Sequence, residues 1–168
     1  MRIPFILLCL IGLHATTATV QPQRIHVISG AREYDSEGSL QAFTQWLEPR
    51  HRNLQFSFSW GHDGIERLEN LKRLADADLL LIYARRMRLD DEDMERILQY
   101  WDAGKPIIGM RTASHAFQEA ANRRFDQEIL GGDYDGHYGN EPVRIVNAPI
   151  QHPVLEGVGA WESSRLYK

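Results

Sequence analysis

Apolar positions along the chain fall into two patterns, short unbroken runs and longer stretches with helical spacing. Arg24 to Gly30 carries the β-branched Ile25, Val27 and Ile28 and is broken by Ser29-Gly30, which predicts a first strand. From Ser36 to Glu48, Leu40, Phe43 and Leu47 recur at helical spacing, and Pro49 ends the stretch. Leu54 to Trp60 alternates apolar and polar residues, the pattern of a half-buried strand. After the loop Gly61-His-Asp-Gly64, the residues Ile65, Leu68, Leu71 and Ala75 predict a second helix. Ala77 to Tyr83 contains Leu79-Leu-Leu-Ile82, an apolar run that fits a strand buried on both faces of a parallel sheet.

The next unit carries explicit start and stop signals. Asp90 can cap a helix, and Asp91, Glu92 and Asp93 set negative charge against the positive end of its macrodipole. Met94, Ile97, Leu98 and Trp101 line one face, Gly104 ends the helix, and Pro106 prevents its continuation. Pro106 to Met110 reads as a fourth, buried strand, followed by a polar turn and a short helix from about Ser114 to Asn122. Four strand–helix alternations predict right-handed crossovers and a parallel sheet. The expected class is α/β, a three-layer α/β/α domain with a flavodoxin-like parallel sheet. After Ile129 the pattern changes to a Gly-rich loop, Gly131 to Gly139, a short strand over Val143 to Val146, and a turn at His152-Pro153.

The first twenty residues stand apart. Arg2 is their only charge, Ile3 to Leu13 is apolar apart from Pro4 and Gly12, and Ala15-Thr-Thr-Ala18 follows. This is the charged, apolar and small-residue succession of a secretory signal, too short for a stable membrane span. Residues 1–20 are therefore expected to be a signal peptide and residues 24–168 the domain, exported to the periplasm or the extracellular space. Cleavage near Ala18 removes Arg2 and takes the net charge from -4 to -5. It also removes Cys9, the only cysteine, so the mature domain has no disulfide, thiolate nucleophile or cysteine-bound zinc. With 168 residues, 43% of them hydrophobic, the chain has the material for one cored domain. No basic stripe points to nucleic acid, and no motif calls for a cofactor.

In open parallel sheets, ligands bind beyond the carboxyl ends of the strands. Four loops meet that condition, carrying Arg32, Glu33 and Tyr34; His62 and Asp63; Tyr83, Arg85 and Arg86; and Arg111, Thr112, Ser114 and His115. The stretch Gly109 to His115 has the strand–turn–helix form of a nucleophile elbow, with Arg111 at the elbow. A guanidinium stays protonated and is no nucleophile, but it can hold a carbonyl or anionic oxygen with two parallel hydrogen bonds. Arg111 is expected to be a ligand-oxygen clamp, with pairing to a neighbouring carboxylate as the alternative. Asp133, Asp135 and His137, with His152, have a spacing that could hold a metal, but the surrounding glycines favour a solvated turn and no metal is assigned. His26, in an apolar strand, reads as a satisfied core histidine.

Gly109-Met-Arg-Thr-Ala-Ser-His-Ala-Phe117, Gly131-Gly132, Gly136-His-Tyr-Gly-Asn-Glu141 and His152-Pro153 together resemble the ThuA-like, or trehalose-utilisation, family. Glu33-Tyr34 and Tyr83-Ala-Arg-Arg86 are similar to it as well. The resemblance implies a class I glutamine amidotransferase-like fold with Arg111 in place of the amidotransferase cysteine, hence no amidotransferase activity. It also implies a link to sugar use, and a domain that continues past Lys168, so that this chain is expected to be incomplete at its carboxyl end.

Two readings follow. In the first, an enzyme acts on a sugar or sugar derivative such as a keto-sugar, with Glu33, Arg111, His115 and His137 catalytic and Tyr34, Tyr83, Arg86, Thr112, Tyr138 and Asn140 on the substrate. In the second, a non-catalytic carbohydrate-binding or scaffolding module stacks Tyr34, Tyr83, Tyr134 and Tyr138 on sugar rings. A cleft group with a shifted pKa separates the first from the second.

Overall fold

The computed structural model describes residues 21–139 and 141–163. Four strands form one parallel sheet: β1 (Gln23–Gly30), β2 (Leu54–Trp60), β3 (Leu79–Ala84) and β4 (Ile107–Gly109), in the order β2-β1-β3-β4. β1 and β3 are central because their runs are apolar on both faces. Ile28, Leu80, Ile82 and Ala84 point to one side, and Ile25, Val27, Leu81 and Tyr83 to the other. The first side is covered by a 3-10 turn at Leu71–Asp76, by helix α2 (Asp91–Asp102), and by Phe117 and Phe125. The second is covered by helix α1 (Ser36–Leu47), which seats Leu40 on the sheet. The α/β class and the flavodoxin-like strand order are those expected.

Several elements depart from expectation. In β2 the aromatic residues are the half-buried ones, and Ser59 on the opposite face is fully buried. The reason is His26, which lies wholly inside and hydrogen-bonds Ser57 Oγ at 2.8 Å and Ser59 Oγ at 3.0 Å. Helix α1 buries Ser36, Leu40 and Thr44, four residues apart, while Phe43 faces outward and Trp46 is 53% exposed. β4 is an edge strand in the described sheet, not a buried one, and Ile108 is 49% exposed.

No helix spans Ile65 to Ala75; only the 3-10 turn from Leu71 remains. The backbone ahead of it is held by distant partners. Asp93 accepts from Leu68 N–H at 2.7 Å, Arg88 N–H donates to the Ile65 carbonyl, and Asp90 N–H to the Glu66 carbonyl. These bonds replace the i to i-4 ladder a helix would need. The stretch from Ser114 to Asn122 is likewise not one helix. A 3-10 turn spans Arg111–His115 and helix α3 starts at Glu119 (Glu119–Arg124), because Phe117 bridges Met87 in parallel between them. A π-helical turn, Phe125–Leu130, follows α3.

Beyond the Gly-rich loop, β5 (Val143–Ile145) and β6 (Trp161–Ser163) form a two-stranded antiparallel ribbon. No helix among the described residues is long and apolar enough to cross a membrane. Residues 1–20, with the expected signal segment, and Tyr167-Lys168 lie outside the described residues.

Candidate functional site

The carboxyl ends of β1, β3 and β4 lie side by side, and the turns that leave them carry unusual backbone. Among the described residues, four non-glycine residues have positive φ: Asp35 (47°), Asn70 (64°), Arg86 (49°) and Arg111 (47°). Asp35, Arg86 and Arg111 all belong to this end of the sheet. A left-handed conformation costs an ordinary residue about 1–2 kcal/mol, and such strain collects where a side chain must be aimed.

At Arg111 the aim is visible. Met110 is still extended and hydrogen-bonds β3, then the chain turns sharply into the 3-10 segment. Thr112, fully buried, donates its hydroxyl to the Ala84 carbonyl at 2.7 Å and fastens the turn to the end of β3. Thr112 thus supports the site from below and is not on its surface, where the sequence reading put it. The guanidinium carbon of Arg111 stands 4.2 Å from the centre of the Tyr34 ring. Among the described residues no carboxylate pairs with Arg111. Tyr83, buried at the end of β3, has its pKa raised by burial, with the positive charge of Arg111 acting against that rise.

The neighbouring cation behaves differently. Arg85 meets Glu33 at 3.3 Å and Asp63 at 2.6 Å, joining the ends of β1, β2 and β3. Glu33 is therefore paired with Arg85, not with Arg111. Arg86, the member of the pair chosen from sequence, serves chiefly through its backbone: its N–H donates to the His115 carbonyl, and its carbonyl accepts from Gly64 N–H and the Gln118 side chain. An open hollow of about 320 Å³ lies against this network, lined by Arg32, Glu33, His62 and Asp63. A separate hollow of about 250 Å³, between the Leu71–Asp76 turn and α2, is at the opposite end of the sheet.

His115 is 6% exposed and stacks on Tyr134 with ring centres 4.2 Å apart. Burial pushes its pKa down to about 4, and the guanidiniums of Arg85 and Arg86 act in the same direction. Burial is the larger cause. Tyr134 is held by buried Asp126, which accepts its backbone N–H at 2.6 Å. Gly132 passes so close to the Asp126 carboxylate that a Cβ there would collide with Oδ1. This contact is the use of Gly132, while Gly131 caps the π-helical turn at φ 72°, a left-handed conformation that favours glycine.

The cluster at the strand ends thus brings together Glu33, Tyr34, Tyr83, Arg85, Arg111 and His115, with Tyr134 on His115. His137 and Tyr138 are exposed on the Gly-rich loop. Asn140 lies outside the described residues. Asp133 accepts from Gln127, and among the described residues no three His, Cys, Asp or Glu side chains converge as metal ligands. Arg85 has no site role in either sequence-based reading, and Tyr134 has one only as a stacking ring of the binding module. Two adjacent arginines after a strand look alike in sequence, and only the fold decides which one reaches the carboxylates.

No family model matches the chain, and no curated protein matches it. Among solved structures, the fold is similar to that of a protein from Bacteroides uniformis ATCC 8492 described as thua-like and solved at 2.30 Å. The TM-score is 0.59 at 14% identity, and the match covers 92% of this chain. The chain spans 63% of the length of that protein. At this identity the likeness is one of fold, and it agrees with the α/β architecture described above.

Proposed function

We propose that this chain is an exported ThuA-like protein whose site at the carboxyl end of the sheet binds and acts on a sugar or sugar derivative, a keto-sugar among them, and is not an amidotransferase. The carrying observation is Arg111: a non-glycine residue held at φ 47° at a strand–turn–helix elbow, over Tyr34, with no carboxylate partner among the described residues. At that elbow a thiolate or hydroxyl would serve as nucleophile, whereas a guanidinium serves as an oxygen clamp. Arg111 covers one face of Tyr34 and His115 one face of Tyr134, so a sugar ring would stack on the opposite faces. Glu33 is the acid/base group, released from Arg85 when a substrate engages that arginine. With a pKa of about 4, His115 is neutral at physiological pH. A neutral imidazole is a poor base but an effective hydrogen-bond partner for a carbonyl or hydroxyl. The Glu33–Arg85 pair at the strand ends supports the enzyme over the non-catalytic carbohydrate-binding module, whose own support is the 65% exposed Tyr138.

The test is a panel of disaccharides and their keto forms against the full-length protein, scored for thermal stabilisation and for product. Arg111→Ala is expected to weaken binding by about tenfold or more, the scale of a lost charge-assisted hydrogen bond. Unchanged binding in Arg111→Ala would remove this site from consideration. Stabilisation without product would leave the binding module. Export is tested by mass spectrometry on protein from its native host, which should find a mature N-terminus between Ala18 and Gln23.

A further inference from the structure

Charge at the carboxyl end of the sheet is unevenly matched. Arg85 is neutralised twice, by Glu33 and by Asp63. Asp35, the next carboxylate along, accepts the Gly38 N–H at the start of α1. Arg32, Arg86 and Arg111 have no carboxylate partner among the described residues. This excess of guanidinium sits on a protein of net charge -4, so it does not follow from overall composition.

Arg111 is the best placed of the three. Its guanidinium carbon stands 4.2 Å over the centre of the Tyr34 ring, which holds the group by its charge, while the N–H edges of a guanidinium are what acceptors meet. Two coplanar oxygens are what such an edge fits. A phosphate dianion would call on further donors, and two of the groups that follow Arg111 are already spent. The Ala113 N–H donates to the Met110 carbonyl, and the Thr112 hydroxyl to the Ala84 carbonyl.

Building on the sugar-site reading above, we propose that the ligand carries a carboxylate, so that the site takes a sugar acid in preference to the neutral sugar. The carboxylate lies in the Arg111 fork. The polyol body reaches towards Glu33 and His115. Arg32 and Arg86 raise the local concentration of the anion through longer-range attraction.

Isothermal titration of the full chain with glucuronate, glucose, glucose 6-phosphate and acetate tests this, at low salt and at high salt. Glucuronate is expected to bind about tenfold or more tighter than glucose. The advantage should shrink at high salt, fall partly in Arg111→Lys, which keeps the charge but loses the fork, and vanish in Arg111→Gln. Thermal melts of both variants establish that they are folded. Glucose binding as tightly as glucuronate overturns the carboxylate proposal and leaves the sugar reading standing. Acetate binding as tightly as glucuronate supports the fork and sinks the sugar reading. Preference for glucose 6-phosphate overturns the choice of carboxylate. Binding of none of the four overturns both.

Discussion

Arg111 combines a conformational cost with a chemical use, and the two can be separated by substitution. At φ 47° any residue with a Cβ is strained, and glycine is not. Arg111→Gly should therefore be more stable than Arg111→Ala by about 1 kcal/mol, the reverse of their usual order, while both lose ligand. Urea unfolding of the two variants decides it; Ala above Gly would mean that the turn is not left-handed. Two buried histidines set a second expectation. His26 and His115 both have pKa values lowered to about 4, chiefly by burial, against 6.5 when unfolded. Between pH 6.5 and 4 the unfolded chain binds a proton at each that the folded chain does not. Stability therefore falls as pH falls through this window, by about 1.4 kcal/mol per pH unit for each histidine, and is insensitive to them above it. His26→Gln should remove close to half of that slope in melts between pH 6 and 4.5. An unchanged slope would show that His26 does not titrate as argued.

The elements that were legible in the sequence are those whose signals are local. β1 and β3 declare themselves by apolar runs, and α2 by Asp90 at its N-cap and Gly104 with φ 73° after its end. The failures are elements decided by distant partners. Ile65 to Ala75 has helical spacing, yet its backbone is claimed by Asp93, Arg88 and Asp90. Phe117 has helical neighbours, yet pairs with Met87. In the site, the strand-end loops and the Arg111 elbow were legible. The Arg85 bridge and the Asp126 anchor of Tyr134 were not, because neither has a spacing that marks it. Asp93 gives this contrast a measurable form. Asp90→Ala removes a cap from Asp93 N–H and should cost about 1 kcal/mol. Asp93→Ala leaves the buried Leu68 N–H without its acceptor and should cost more, up to about 3 kcal/mol. Chemical denaturation of the pair is the measurement, and equal losses would mean that the Leu68 loop finds another partner.

Across the whole molecule, burial is concentrated where β1 and β3 are sandwiched, and it thins towards the ribbon. Val27, Ile28, Leu80 and Ile82 are completely covered, with Phe125 closing one side. β5 and β6 instead pack chiefly on each other, and Val146, Ile150, Val154 and Trp161 around them are exposed. A two-stranded ribbon is marginal in water without further strands or a helix behind it. Local stability in a protein follows such differences, from near zero at weakly packed segments to the global value in the core. The ribbon should therefore open independently of the sheet. Hydrogen exchange on the chain should find the amides of β1 and β3 the slowest, exchanging through global unfolding. The amides of Val143–Ile145 and Trp161–Ser163 should exchange orders of magnitude faster, through local opening. The Arg111 turn is expected near the slow end, because it is tied to β3 through the Thr112 hydroxyl and the Met110 N–H. The candidate site would then be rigid before any ligand arrives, as an aimed guanidinium requires. If the ribbon proves as protected as β3, it is packed against something in solution. If the Arg111 turn exchanges with the ribbon, the strain at φ 47° is not held by the fold.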